Sequence, residues 1–269
     1  MINEEIFVLS LPYSQNKNKT VRVYVPSHEE GETIPVIYMT DGQNLFEFEK
    51  DRGQLGSWFT HDAVKEEYNN NGKAAIIVGI HNDSTPMERT NELTPKNIGN
   101  FIFPPEMPEP VRKMLVPEGE LFDEFILNTV MPAVEQRFPV KTGRNNTAFC
   151  GSSSGGLFSF FTVLSHPEIF SYGGVFSPVF MMYDRNDLEK WIRCTIRDIN
   201  DLPYLYMYMG GADDMEKLLD VQFEWVCGLL ENCYPHKQLF KKVMPEQKHH
   251  ENAWEINFRA FLHKFLTQQ

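Results

Sequence analysis

Short apolar runs and helical patterns alternate along this chain. "IFVLSL" and "TVRVYVP" come first, joined by the polar "SQNKNK", and read as an antiparallel pair. From about residue 35 the runs "IPVIYMT", "AAIIVGI", "NTAFC", "YGGVFS", "LPYLYMYMG" and "QLFKKVM" are separated by helix-length segments. Near-continuous apolar strands are what a sheet covered on both faces requires, and strands alternating with helices imply parallel pairing with right-handed crossovers. The pattern predicts a mostly parallel central sheet of about eight strands with helices on both faces.

Two helices are marked by a period near 3.6 residues. One starts at about Glu251 and turns Trp254, Phe258, Phe261, Leu262, Phe265 and Leu266 to one side. The other covers roughly 119 to 138, with Phe122, Phe125, Ile126, Val130 and Val134 inward and a kink expected at Pro132. Between 101 and 119, "FIFPPEMPEPVRKMLVPEG" carries enough prolines to forbid regular structure and reads as a long loop. Its apolar side chains, Phe103 and Met107 among them, need a surface to cover. No repeat, linker or low-complexity tract interrupts the pattern, so a single domain over 1–269 is expected.

Composition narrows the function. A formal net charge of −12 disfavours a phosphate-backbone partner, so no nucleic acid is expected. The basic run "HKQLFKK" is short and reads as a solvated strand edge. Cys150, Cys194, Cys227 and Cys233 form no C-x-x-C pair. They are read as reduced thiols, with neither a metal site nor a cofactor implied. "MINEEIFVLS" has acids where a leader peptide carries bases, and no run approaches a membrane span. These features lead to the expectation of a cytoplasmic protein with no membrane partner.

The chemistry begins at "FCGSSSGGLF". In G-x-S-x-G the glycines allow a sharp strand-to-helix turn, and Gly151-Ser152-Ser153-Ser154-Gly155 fits with Ser153 at the centre. The helix that follows favours developing negative charge at its start, and the backbone N–H of Ser154 is placed to meet an oxyanion. After "YLYMYMG" comes "GADDMEK", where Asp213 or Asp214 could orient a histidine. After "FKKVMPEQK" comes "HHENAW", with His249 and His250. Serine, then acid, then histidine, each following a late strand, is the order of an α/β hydrolase. His81 also follows a strand but precedes the serine, and is read as a pocket or structural residue.

With these motifs in place the sequence resembles the putative-esterase family of α/β hydrolases, which includes feruloyl and acetylxylan esterases, enterochelin esterases and S-formylglutathione hydrolases. The resemblance covers nearly the whole chain. "VIYMTDGQNLF" is similar to the family's third-strand signature, "GSSSGGLFSFF" to its elbow and "HPEIFSYGGVFSP" to the next strand. "HHENAWEINFRAFLHKFL" matches its C-terminus, and "RTNELTP" resembles an Arg/Glu-Thr-Pro segment.

This resemblance implies the α/β-hydrolase fold and puts the nucleophile on Ser153. It puts the base on His249, five residues before Trp254, and the acid on Asp213, with Asp214 as the alternative. The backbone N–H of Gln43 becomes the second oxyanion donor beside that of Ser154. Asp41, Asn44, His81, Arg89, Glu92, Phe103, Met107 and Phe180 are candidate substrate-binding residues. Ser154 stands where many relatives carry Met.

The activity implied is a serine carboxylesterase acting on a small ester, such as a feruloyl or acetyl sugar ester or a siderophore ester, without metal or cofactor. An acyltransferase or thioesterase on the same triad, or a catalytically silent binding protein, are the alternatives.

Overall fold

The computed structural model describes residues 1–14, 17–47, 56–82, 85–103 and 108–267. In chain order the strands and helices are β1 (Glu5–Ser14), β2 (Lys17–Val25), β3 (Val36–Met39), α1 (Thr60–Asn71), β4 (Ile76–Ile80), α2 (Pro86–Glu92), α3 (Glu109–Met114), α4 (Gly119–Phe125) and α5 (Met131–Arg137). There follow β5 (Thr147–Ser152), α6 (Ser154–Ser165), β6 (Tyr172–Phe176), α7 (Arg185–Arg197), β7 (Tyr204–Met209), α8 (Asp214–Glu231), β8 (Leu239–Val243) and α9 (Glu251–Thr267).

The strands form one eight-stranded sheet in the order β1-β2-β4-β3-β5-β6-β7-β8. β1 pairs antiparallel with β2, and β2 antiparallel with β4, while the remaining neighbours are parallel. Successive side chains point to opposite faces of a strand, so each central strand feeds two cores. Val36 and Tyr38 of β3 join Phe149 of β5 and Leu205, Met207 and Met209 of β7 on one face, under α4 to α8. Ile37, Met39, Ala148, Cys150, Tyr204, Tyr206 and Tyr208 face the other way, under α1 and α9. The anticipated stripe of α9 is buried throughout, from Trp254 to Leu266. All four cysteines are free thiols. Among the described residues no helix is long and apolar enough to cross a membrane.

Two sequence expectations need correction. Pro132 does not lie in an unbroken α-helix. Five residues before it, Ile126–Val130, form a π-turn between α4 and α5, and the Met131 N–H bonds back to the Ile126 carbonyl. Widening the helix there makes room for a ring that would otherwise strike the carbonyl one turn earlier. The segment from 101 to 119 is not devoid of regular structure either. Pro108 is the N-cap of α3 and Pro110 lies in its first turn, where a missing N–H costs nothing. Its C-terminal end is tied to α2: the Val116 N–H bonds Asn91 Oδ1 at 2.9 Å and the Gly119 N–H bonds the Thr94 carbonyl at 3.1 Å.

The carboxyl edge of the sheet depends on backbone passing close to backbone. A β-carbon on Gly155 would stand 2.1 Å from Thr40 Oγ1, and one on Gly151 2.4 Å from the Gly155 carbonyl oxygen. Gly228, inside α8, has nothing within 4 Å of its missing β-carbon. The two positions should therefore respond oppositely to the same substitution. Gly155→Ala is expected to destabilise by about 1–3 kcal/mol through overpacking. Gly228→Ala is expected to stabilise by about 0.5–1 kcal/mol through helix propensity. Urea denaturation of both variants checks this, and equal effects would contradict the packing described.

Candidate active site

β5 ends at Ser152 and α6 begins at Ser154, so Ser153 is the single residue of the turn. It has φ 59° and ψ −122°, a conformation that a non-glycine residue adopts only when the surroundings force it. The forcing contacts are visible. The Ser153 N–H bonds the Phe176 carbonyl at 2.9 Å, its carbonyl accepts from Leu157 at 3.1 Å, and a β-carbon on Gly156 would stand 2.5 Å from the Phe176 oxygen. The turn holds the serine at the N-terminus of a twelve-residue helix, where the local dipole favours negative charge.

His249 follows β8 and precedes α9. Its backbone is pinned rather than free: the preceding Gln247 carbonyl accepts from Gly211 and Ala212, both at 2.9 Å. The Gln247 side chain accepts from the Tyr208 hydroxyl and Asn257 Nδ2, each at 2.7 Å. The His249 ring meets Trp254 edge-on, with centroids 5.0 Å apart. Ser153 and His249 line one pocket of about 330 Å³ together with Asp41, Gln43, Asn44, Arg89 and Trp58.

The structure does not place the Asp213 carboxylate at the imidazole. Asp213 is the N-cap of α8: Oδ1 accepts from the Glu216 N–H at 2.9 Å and Oδ2 from the His249 backbone N–H at 2.8 Å. Burial opposes ionisation of Asp213, but these two N–H bonds and the neighbouring His249 outweigh it and hold the carboxyl below the ordinary aspartate range. Asp214 is fully exposed. The carboxylate that faces His249 is Glu216, with no accessible surface and Oε1 3.3 Å from Nδ1. The pair is close but not yet aligned as a hydrogen bond, which is common before a substrate tightens such a site. Oε1 also accepts from Ser177 Oγ at 2.6 Å, and Trp254 Nε1 donates to that hydroxyl at 3.1 Å.

Sequence reasoning stopped one turn short. Asp213 and Glu216 have the spacing of a capping box, in which the glutamate ordinarily reaches back to the N-cap N–H. Here it turns inward, toward the edge of the sheet, and Ser177 and Trp254 are its support. The Asp-x-x-Glu spacing was the available signal. Nothing in the local sequence marked Ser177.

On the other side of Ser153 lies the turn after β3. Asp41 has φ 56°, and Gly42–Asn44 form one turn of 3-10 helix that carries Gln43 and Asn44 into the pocket wall. A β-carbon on Gly42 would meet the Gly79 carbonyl at 2.4 Å, so this loop can lie flat on β4 only with glycine there. The Asp41 carboxylate is fully engaged. Arg89 grips it with Nε at 2.6 Å and Nη2 at 2.8 Å, Gln43 Nε2 approaches at 3.4 Å, and Asn82 Nδ2 donates to it as well. Arg89 Nη2 also reaches the Ser152 carbonyl at 3.5 Å, tying the two sides of the pocket together. Burial works against the Arg89 charge, but Asp41 and then Glu251 more than compensate, and its pKa is raised.

Several other candidates lie elsewhere. Phe180 is wholly buried and packs edge-on against Phe160 at 5.1 Å, so it belongs to the core. Glu92 is also buried, 2.5 Å from the Lys19 ammonium. Phe103 stands beside the Arg112 guanidinium, 5.9 Å away, and is not a wall of the Ser153 pocket. Met107 lies outside the described residues. His81 does not line the pocket, whereas its neighbour Asn82 does. Trp58 is also a wall residue, and Ser152, Thr85, Pro86 and Glu251 are wall residues that the sequence did not assign to the pocket. Among the described residues no group of three metal-ligating side chains comes together.

Comparison with known proteins agrees with this fold. The family model described as "Putative esterase" matches residues 13–196. Curated proteins give no match. Among solved structures, the siderophore hydrolase EstA from Aspergillus nidulans superposes with a TM-score of 0.73 at 19% identity, covering 97% of this chain and 94% of that one. A ferulic acid esterase from the anaerobic fungus Anaeromyces mucronatus gives a TM-score of 0.67 at 19% identity, over 99% and 92% of the two chains. The S-formylglutathione hydrolase from Staphylococcus aureus gives 0.63 at 12% identity, over 97% and 99%. The shared architecture is the α/β-hydrolase fold, and with more than half of its length matched the chain belongs to the putative esterase family.

Proposed function

We propose that this protein is a serine carboxylesterase that hydrolyses small esters through an acyl-enzyme, with Ser153 as nucleophile, His249 as general base and Glu216 as its carboxylate partner. The observation that carries the reading is the strained Ser153 turn opening into the same pocket as an imidazole backed by a buried carboxylate. Family membership and the names of the structural neighbours, which include a siderophore hydrolase and ferulic acid esterases, favour an ester substrate. A pocket of about 330 Å³ suits a small one.

In the first half-reaction Ser153 Oγ attacks the ester carbonyl and its proton passes to His249 Nε2. Glu216 holds the Nδ1–H tautomer and stabilises the imidazolium. The backbone N–H groups of Ser154 and Gln43 receive the oxyanion, helped by the N-terminus of α6. When the tetrahedral intermediate collapses, the C–O bond to the alcohol breaks and His249 gives that alcohol its proton. Water then attacks the acyl-enzyme with His249 again as base, and Ser153 recovers its proton as the acid leaves. Asp213 acts at one remove, fixing the backbone that carries His249 and the first turn that carries Glu216.

Five variants test the roles. Ser153→Ala should lower kcat by roughly 10⁴–10⁶ with the fold intact, since the groups act as a unit, while Ser152→Ala and Ser154→Ala should cost far less. His249→Ala should abolish acylation and His250→Ala should leave most activity, because His250 Nδ1 accepts the Asn252 N–H at 3.2 Å as a helix cap. Equal losses in the two histidine variants would remove the assignment.

The choice of acid has its own test. Glu216→Gln should reduce kcat by about 10²–10⁴, with KM little changed, by favouring the wrong imidazole tautomer. Asp213→Asn should cost about tenfold or less in kcat, and part of its effect should appear as lowered thermal stability through the loss of a charged cap. Steady-state kinetics on an aryl ester and a thermal melt measure both. A larger kcat loss for Asp213→Asn than for Glu216→Gln would return the role to Asp213.

A further inference from the structure

A buried ion pair lies behind the pocket rather than in it. Lys19 of β2 and Glu92, the last residue of α2, are 6% and 3% exposed, with Nζ 2.5 Å from Oε1. Neither is a wall residue of the Ser153 pocket. The ammonium is closely boxed: the Tyr13 and Phe122 ring centroids lie 4.6 and 5.5 Å from Nζ, and the His81 carbonyl accepts from it at 3.4 Å. Taking two charges out of water is costly, and an apolar pair of similar volume often holds the same elements at least as firmly. Packing alone therefore does not call for charges at these two positions.

What the pair touches does. Glu92 stands one turn beyond Arg89 on α2, and His81 immediately precedes Asn82. Arg89 and Asn82 are both donors to the Asp41 carboxylate, Arg89 through bonds of 2.6 and 2.8 Å. One ammonium thus ties together the two arms that converge on Asp41, and Asp41 opens the turn carrying Gln43. α2 is only seven residues long, so its seat depends on tertiary contacts rather than on its own helical stability. Without the ammonium, Glu92 would be a buried carboxylate lacking its cation. The last turn of α2 would have to move to reach water or another donor, and Arg89 on the same helix would move with it.

We propose that Lys19 is a positioning residue for ester hydrolysis: by neutralising Glu92 it keeps α2 seated, so that Arg89 holds Asp41 and the Gln43 N–H stays aimed at the oxyanion. This rests on the carboxylesterase reading above. Steady-state hydrolysis of para-nitrophenyl acetate tests it, with circular dichroism to confirm folding at the assay temperature. Lys19→Met should lower kcat about tenfold to hundredfold with KM within about twofold, because oxyanion stabilisation acts in the transition state. Glu92→Gln should keep kcat within about threefold of the wild type, since the amide oxygen still accepts from the ammonium. Lys19→Met/Glu92→Gln leaves no carboxylate stranded, and should recover kcat to within about threefold of the wild type, the non-additivity of a coupled pair.

Wild-type kcat in Lys19→Met, a loss carried by KM alone, or a double variant as impaired as Lys19→Met would overturn the proposal. Should Lys19→Met fail to fold, the double variant decides. Near-wild-type kcat then supports the role of the Glu92 charge, whereas a loss of about tenfold or more, or a second failure to fold, overturns it. Failure of the carboxylesterase reading looks different, because the wild type itself would then not hydrolyse the ester in a Ser153-dependent way.

Discussion

Glu216 has no accessible surface, and a carboxylate in that position must be paired where it stands or be too costly to ionise. Its partners come from separate parts of the chain: Ser177 just past β6, His249 just past β8, and Trp254 of α9 bonding to Ser177. One buried charge thus fixes the relative positions of three loops at the carboxyl edge of the sheet. Ser177 has φ 44°, so the backbone is bent out of an easy conformation to bring its hydroxyl to the glutamate. Strain of this kind persists where the surroundings over-determine it. The other described non-glycine residues with positive φ, Asp41, Phe59 and Ser153, belong to the same edge.

The serine side of the pocket depends on a different constraint, close backbone approach. Gly151, Gly155 and Gly156 let β5, the β3 turn and the end of β6 converge around Ser153, while Gly42 and Gly79 let the Asp41–Asn44 turn lie on β4. Asp41 then serves as the hub of that loop, accepting from Arg89, Asn82 and Gln43. Arg89 spans from this hub to the Ser152 carbonyl. The pocket is therefore held on one side by the buried Glu216 and on the other by the Asp41–Arg89 ion pair, with Ser153 between them.

The sheet was readable from sequence because strands buried on both faces leave long apolar runs, and the eight runs became eight strands. Ser153 was readable because the glycine register allows one centre. The acid was not. "GADDMEK" offers three carboxylates in four positions, and whether the N-cap or the residue three further on turns toward the histidine is decided by Ser177, thirty-odd residues earlier in the chain. The same limit applies to Phe180 and Glu92, whose partners Phe160 and Lys19 are remote in sequence. Around residues 108–114 the error was local: prolines at the start of a helix were read as breakers when they are compatible with its first turn.

The central claim, a nucleophile at Ser153 activated within this pocket, is tested most directly by covalent labelling. A fluorophosphonate probe transfers its phosphonyl group to an activated serine with loss of fluoride, and peptide mass spectrometry locates the adduct. The account predicts stoichiometric labelling of Ser153, undiminished in Ser152→Ala and abolished in Ser153→Ala and His249→Ala. Labelling at Ser152 or Ser154, or an intact protein that does not react, would contradict it.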